Sequence, residues 1–219
     1  MAFAIKGISV PDSKLVHEIT ELVRDTESPL LFHHSSRVFY WGALTGARRG
    51  LTFDPELLYA GAMFHDSGVL PQFRSETERF EVDGANAARE FLDARGIAPS
   101  DIELVWLSIA LHTSRGIPGH LHPVVALLTE GVVMDVVGIG YDHFPATQRD
   151  AVIGAYPRAP SFEDDLLQTF YDGIKDKPET TFGNVNADVL ADKDPHFHRG
   201  DYCSLIRGSR WRAEARGAA

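Results

Sequence analysis

The sequence lacks several features that are typical of secreted and membrane proteins. One cysteine, Cys203, occurs in 219 residues, so an internal disulfide is impossible and a reducing compartment is expected. No apolar run approaches the roughly 20 residues that a membrane-spanning helix needs. Residues 1–6 lack the charged and apolar regions of a secretory signal. We therefore expect a cytoplasmic protein without a membrane partner.

Positive charge is also scarce. Lys and Arg together number 21 against 31 Asp and Glu, which gives a formal net charge of −10. No lysine lies between Lys14 and Lys175, and no basic block occurs anywhere. An acidic chain without a basic block is a poor binder of nucleic acid. We expect a small-molecule substrate instead, and a homo-oligomer remains possible.

The third scarce feature is the alternation of apolar and polar residues that is typical of β-strands. The apolar residues recur at helical spacing, so we predict an all-α fold. Predicted helices span residues 11–26, 28–49, 54–66, 80–95, 100–112, 123–137, 146–155, 161–174 and 181–190. Residues 1–28 are predicted as an N-terminal helix packed on the core, 29–158 as the main helical bundle domain, and 159–219 as a C-terminal helical extension and tail.

The segment 69–79 breaks the helical pattern. It contains Pro71, Phe73 and Arg74, and regular spacing returns only at Phe80. Because it directly follows a pair of polar residues at a helix end, we predict a mobile flap over the mouth of a site.

That pair is His65-Asp66, at the end of the apolar run 60–64 and just before Gly68. An imidazole and a carboxylate side by side on packed structure are two ligands for a hard or borderline metal ion. With ten histidines in the chain, roughly 0.8 such pairs are expected by chance, so the pair alone is weak evidence.

Two further residues strengthen the evidence for a metal site. His34 lies on the second predicted helix, and Asp135 lies within the apolar run 132–137. A carboxylate buried among valines is costly unless it is paired or binds a metal. Asp135 is therefore either a metal ligand or the partner of a buried arginine or of a helix-end backbone group.

This set of residues resembles the HD superfamily of metal-dependent phosphohydrolases: a first histidine, a His-Asp pair and a later aspartate on separate helices. The local sequences at 34–40 and 62–68 are similar as well. Segments 79–85, 109–113, 134–138 and 156–158 resemble the cyanamide hydratase-like branch. The resemblance covers about residues 31–158 and implies a single HD-type bundle domain.

The resemblance implies a divalent metal ion held by His34, His65, Asp66 and Asp135. Zinc is the first choice for this mixture of ligands, and iron, manganese or nickel are alternatives. The implied activity is the addition of metal-activated water to a small molecule, as in a hydratase or hydrolase. The alternatives are a phosphohydrolase acting on a nucleotide or phosphomonoester, and a non-catalytic metal-binding or ligand-binding HD domain. Few cations surround the four positions, which favours a small neutral or weakly charged substrate.

Four residues are predicted to act in catalysis. Asp66 would manage the proton, and His112, which ends a helix before a Gly/Pro loop, would contact the substrate or a second metal. Asp83, like its neighbour Glu81, is either a general base or an acid that stabilises a helix N-terminus. Arg37 shares a helix face with His34 and would hold a carboxylate ligand or contact substrate. Trp41 is predicted as core, and His196 and His198 as part of a solvated tail.

Overall fold

The computed structural model describes residues 4, 5, 7–201 and 204. Its α-helices are α1 Lys14–Thr26, α2 Pro29–Arg49, α3 Pro55–Phe64, α4 Phe80–Asp93, α5 Pro99–Ala110, α6 Pro123–Val137, α7 Ala146–Ala155, α8 Phe162–Ile174 and α9 Asn186–Lys193. The prediction of an all-α fold is confirmed. None of the described helices is long and apolar enough to cross a membrane.

The structure differs from the sequence-based prediction at both ends. Two short antiparallel strands, β1 Ala4–Ile5 and β2 Ile8–Ser9, precede α1, and Gly7 turns between them with a φ of 87°. Two-residue strands are too short to produce a recognisable alternation. The final helix begins at Asn186 rather than 181, because a 3-10 turn and Gly183, with a φ of 70°, come first. Cys203 lies outside the described residues.

Helix α2 is the centre of the bundle. Ser28 caps its N-terminus by accepting a hydrogen bond from the Leu31 amide, and Gly50 ends it in the left-handed conformation. Its residues 34–46 are all buried. Helix α6 packs against it at backbone contact distance, since a Cβ on Gly131 would lie 2.3 Å from the carbonyl oxygen of Val38. This contact brings the α2 residue His34 and the α6 residue Asp135 together.

A second close backbone approach fixes the chain after α3. The chain turns through a 3-10 helix, Ser67–Val69, directly after Asp66. A Cβ on Gly68 would lie 1.9 Å from the carbonyl oxygen of Phe80, so the turn rests on the first turn of α4. A side chain at this position would push the turn away and displace Asp66 with it.

The C-terminal extension packs on the same end of the bundle. Helices α8 and α9 build a second, smaller apolar cluster with residues of α2, α4 and the 3-10 turn. Its buried members are Leu31, Val69, Phe80, Phe162, Leu166, Ile174 and Leu190. The extension therefore lies beside the residues predicted to bind metal.

Candidate metal centre

His34, His65 and Asp66 lie together in the interior and are all buried. The Nε2 atoms of the two histidines are 3.1 Å apart. Oδ2 of Asp66 lies 3.2 Å from Nε2 of His65 and 3.4 Å from Nε2 of His34. One ligand atom from each of three residues thus converges on a volume that suits one ion.

Backbone carbonyls fix the ring orientation of two histidines. Nδ1 of His65 lies 2.7 Å from the Ala62 carbonyl oxygen, and Nδ1 of His112 lies 2.7 Å from that of Ile109. Each Nδ1–H therefore donates to a carbonyl, which leaves the Nε2 lone pair to face the interior. This tautomer is the one that binds a metal through Nε2.

His112 extends the cluster. Its Nε2 lies 3.6 Å from Oδ1 of Asp66, and its ring stands edge-on to His65 with centroids 5.0 Å apart. Burial, helped by the neighbouring His65, lowers the pKa of His112 to about 4. His112 is therefore neutral near pH 7 and presents a free lone pair toward Asp66.

Asp66 is the residue that most clearly requires a cation. Both of its carboxylate oxygens are buried, and neither has a hydrogen-bond partner of good geometry among the described residues. His65 and His112 direct Nδ1 at a carbonyl oxygen, so in their neutral form each presents an Nε2 lone pair and cannot satisfy a carboxylate. A buried unpaired charge is expensive unless a metal or a proton lies between these groups. The donor set of imidazole nitrogens and carboxylate oxygen fits zinc and also iron, manganese or nickel.

Asp135 is surrounded very differently. Its carboxylate accepts hydrogen bonds from Nε and Nη2 of Arg37 at 2.8 and 2.9 Å. The Trp41 indole donates at 2.9 Å, and Nδ1 of His34 lies 2.7 Å from Oδ2. Hence Asp135 contacts His34 on the side of the ring opposite the Nε2 that faces Asp66. A carboxylate in this place orients a metal-binding histidine and raises its basicity. Direct coordination by Asp135 stays a prediction.

These contacts determine the protonation states of His34 and Asp135. Burial opposes ionisation of His34 and of Asp135, but their mutual hydrogen bond outweighs it. Together with the contact to Asp66, that bond raises the pKa of His34 to about 9. The bonds from His34 and Arg37 hold the pKa of Asp135 far below its usual range.

The predicted catalytic residues Arg37 and Asp83 have other contacts. The Arg37 guanidinium is fully buried, and besides Asp135 it donates to the carbonyls of Tyr156 and Pro157. It therefore holds a carboxylate, one of its two predicted roles, and has no free face for substrate. Asp83 accepts a 2.6 Å bond from Nζ of Lys177, and its general-base role stays a prediction.

Glu81 is closer to the cluster than Asp83 is. Its carboxylate accepts a 2.5 Å hydrogen bond from the Thr113 hydroxyl and a 3.0 Å bond from Arg79. Burial would raise its pKa, but the hydrogen bonds from Arg79 and Thr113 lower it, so Glu81 is ionised. Glu81 thus supports the segment that begins just after His112.

A cavity of about 710 Å³ reaches the cluster, and His34, Asp66 and His112 form part of its wall. Phe80 of α4, the loop after α5, and helices α6, α8 and α9 form most of the remainder. No residue of segment 69–79 is among the described lining residues. The prediction that this segment covers the mouth is therefore wrong. Lys177 on the extension instead bonds the carbonyls of Ser75 and Glu78 and holds the segment to one side.

The HD domain family model matches residues 31–137. Residues 31–137 form an HD domain. A search of curated proteins found no match. The matched range begins in α2 just before His34 and ends with α6, so it contains His65, Asp66, His112 and Asp135. The HD match suggests a metal-dependent hydrolase or phosphohydrolase, and the cluster is compatible with that activity.

Sequence reasoning missed two polar residues around the HD domain's site. Trp41 lies in the core, as predicted, but its indole also donates to Asp135, and the spacing of His34, Arg37 and Trp41 on one helix face would have revealed that bond. Glu27 is buried at the end of α1, and burial and the charge of Asp66 raise its pKa well above the usual range. No periodic signal marks a single glutamate before a helix cap. His196 and His198 form no cluster with the site residues, in keeping with their prediction as tail.

Proposed function

We propose that this protein is a metal-dependent hydrolase or hydratase that adds water to an uncharged small molecule, in the manner of the cyanamide hydratase-like branch. The observation that carries this proposal is the unpaired, buried carboxylate of Asp66, faced by Nε2 of three histidines at the end of a large cavity. A bound divalent ion would supply water of lowered pKa and would polarise the substrate.

The chain's own residues have distinct parts in this proposal. His34, His65 and Asp66 hold the ion, and Asp135 orients His34 from behind. His112 faces the same carboxylate from the cavity wall with a free Nε2. A neutral imidazole in this position can accept a proton from water or return one to a leaving group. In this proposal Asp66 binds the ion, and His112 rather than Asp66 transfers the proton.

The alternative of a phosphohydrolase has less support from the cavity. A transferring phosphoryl group carries charge that enzymes usually stabilise with Arg or Lys. Two arginines beside His34 and Asp135, Arg37 and Arg158, are both engaged with Asp135. Arg115 is the one permanent cation among the described residues that line the cavity.

The test combines metal analysis with a substrate panel. Purified full-length protein is loaded separately with zinc, iron, manganese and nickel, and bound metal is measured. Release of ammonia or urea from nitriles, cyanamide and amides is compared with phosphate release from nucleotides and phosphomonoesters. We expect one bound ion and metal-dependent turnover of uncharged compounds, abolished in His65→Ala.

Three outcomes would contradict the proposal. A protein that binds none of these ions would be a non-catalytic HD domain. Metal-dependent phosphate release that falls in Arg115→Ala, without turnover of uncharged compounds, would favour the phosphohydrolase. Unchanged turnover in His65→Ala would place the chemistry elsewhere.

A further inference from the structure

The cavity beside the metal centre has a composition that indicates its ligand. Away from His34, Asp66 and His112, its wall is mostly aliphatic and aromatic. Contributors from α6 and from the extension include Val132, Val133, Val136, Leu167, Phe170 and Val189. At about 710 Å³ it is within the range of pockets that enclose whole small-molecule ligands.

Aromatic rings connect the metal cluster with the α8 side of the cavity. Phe80, which is buried, stands edge-on to His112 with ring centroids 5.6 Å apart and also contacts Phe170 at 5.5 Å. This row of rings leads from the metal cluster to the wall formed by α8. A ligand that reaches Asp66 must therefore lay its remaining atoms along an apolar surface.

Charge in the cavity does not offer an anion a second anchor. Arg115 is the single Arg or Lys among the described lining residues, whereas two acids, Glu130 and Asp188, also line the cavity. Each of these two acids has its own arginine partner, Arg49 and Arg199 respectively. The cavity wall therefore has no cluster of cations that could bind a phosphate or sulfate group on the ligand.

The mouth of the cavity is apolar as well. Four lining residues with large exposed side chains surround it: Val137, Ile139, Leu167 and Val185, which are 63, 52, 37 and 42% exposed. Exposed apolar side chains grouped at the entrance to a deep pocket are typical of a ligand-binding site.

We infer that the ligand is a molecule with one small uncharged polar head at the metal centre and an extended aliphatic tail between α6 and the extension. This inference rests on the proposed function for the head group and goes beyond it for the tail. The C-terminal extension, which lies outside the matched HD domain, thereby supplies one wall of the substrate site.

The experiment uses two probe series on the full-length protein. Straight-chain alkyl hydroxamic acids from acetyl to decanoyl are titrated into zinc-loaded protein, since the hydroxamate head binds zinc. The matching 1-alkanols are titrated into metal-free protein, so that the tail site is measured without any metal. In both series we expect affinity to rise by about fourfold per methylene until the cavity is filled.

Two matched variants separate the cavity from the general surface. Leu167 lines the cavity and is 37% exposed, whereas Leu121 is 43% exposed and does not line it. Leu167→Glu should weaken octanohydroxamate and 1-octanol binding at least tenfold and leave acetohydroxamate binding within twofold. Leu121→Glu should change neither.

The outcomes are distinguishable. Affinity that does not depend on chain length, or that is unaffected by Leu167→Glu, would overturn the inference. A chain-length dependence for the alkanols without hydroxamate binding would support the tail site and contradict the proposed metal centre. A dimer, detected by analytical ultracentrifugation, that dissociates in Leu167→Glu would mean that a second copy covers this surface, and would also overturn the inference.

Discussion

Two buried aspartates near one histidine have opposite surroundings. Asp135 receives hydrogen bonds from Arg37, Trp41 and His34, so its charge is fully compensated by the protein. Asp66 has no hydrogen-bond donor of good geometry among the described residues, although three histidine nitrogens lie within 3.6 Å. The difference teaches that burial of a carboxylate alone does not identify a metal ligand. What distinguishes the two is whether the fold itself supplies the positive charge.

The largest expected effect follows from removing the compensated charge. Asp135→Asn leaves the Arg37 guanidinium buried without its partner, and we expect the free energy of unfolding to fall by about 3–5 kcal/mol. Urea unfolding of metal-free protein measures it. Asp150→Asn on the surface is the control and should stay within about 0.5 kcal/mol of wild type. An equally small change in Asp135→Asn would mean that Asp135 is not structurally compensated.

The second prediction concerns Asp66, whose carboxylate lacks the hydrogen bonds that Asp135 receives. Asp66→Asn should lower metal affinity at least about 100-fold, because a charged ligand is lost rather than an outer contact. The free energy of unfolding of the metal-free protein should fall by less than in Asp135→Asn, because neither Asp66 oxygen accepts a well-formed hydrogen bond from the described residues. Metal content by mass spectrometry and urea unfolding measure the two effects. Stoichiometric metal in Asp66→Asn would remove the basis of the comparison.

A smaller loss of stability is expected when one hydrogen bond to Asp135 is removed. Trp41→Phe keeps an aromatic ring against Phe144 but removes the indole N–H that donates to Asp135. We expect a loss of about 1.5–3 kcal/mol, the usual range for a hydrogen bond to a charged group. The same urea titration measures it. Trp106→Phe, which loses a bond to the neutral Asn86 side chain, is the control and should cost less.

Glu27 provides a test that depends on pH. Burial and the Asp66 charge raise its pKa in the folded protein above the unfolded value, so between the two values only the folded state keeps the proton. Stability therefore falls as pH rises above about 4.3, by up to about 1.4 kcal/mol per pH unit. Glu27→Gln removes this loss, and its advantage over wild type should grow with pH. Urea unfolding of metal-free protein from pH 5 to 8 measures it; a constant difference would mean that Glu27 is ionised in the fold.

The smallest expected effect lies in the tail. His198→Ala should change neither metal content nor turnover, because His198 is exposed and does not line the cavity. Metal analysis and the substrate panel measure this. Loss of metal in this variant would mean that the tail supplies a ligand.

Local sequence was sufficient for most of the helices and for part of the site. Pro29 and Pro55 at first helical positions, with Ser28 and Asp54 as caps, gave clear starts for α2 and α3. It failed for segment 69–79, where a broken pattern was interpreted as a flap. A loss of periodicity indicates irregular backbone, but it does not say which surface that backbone lies on. Here Lys177, about a hundred residues further on, decides the matter.

By itself, the sequence determined that His65 and Asp66 end a buried helix, because an apolar run at helical spacing stops there and a glycine follows. It also determined that a carboxylate among the valines of α6 needs a partner. Only the tertiary structure decided which partner, since Arg37 and Trp41 are 98 and 94 residues from Asp135 in the chain. It likewise decided that the extension forms a wall of the cavity. Charge compensation depends on distances in space, and residues this far apart in sequence are brought together only when α2 and α6 pack.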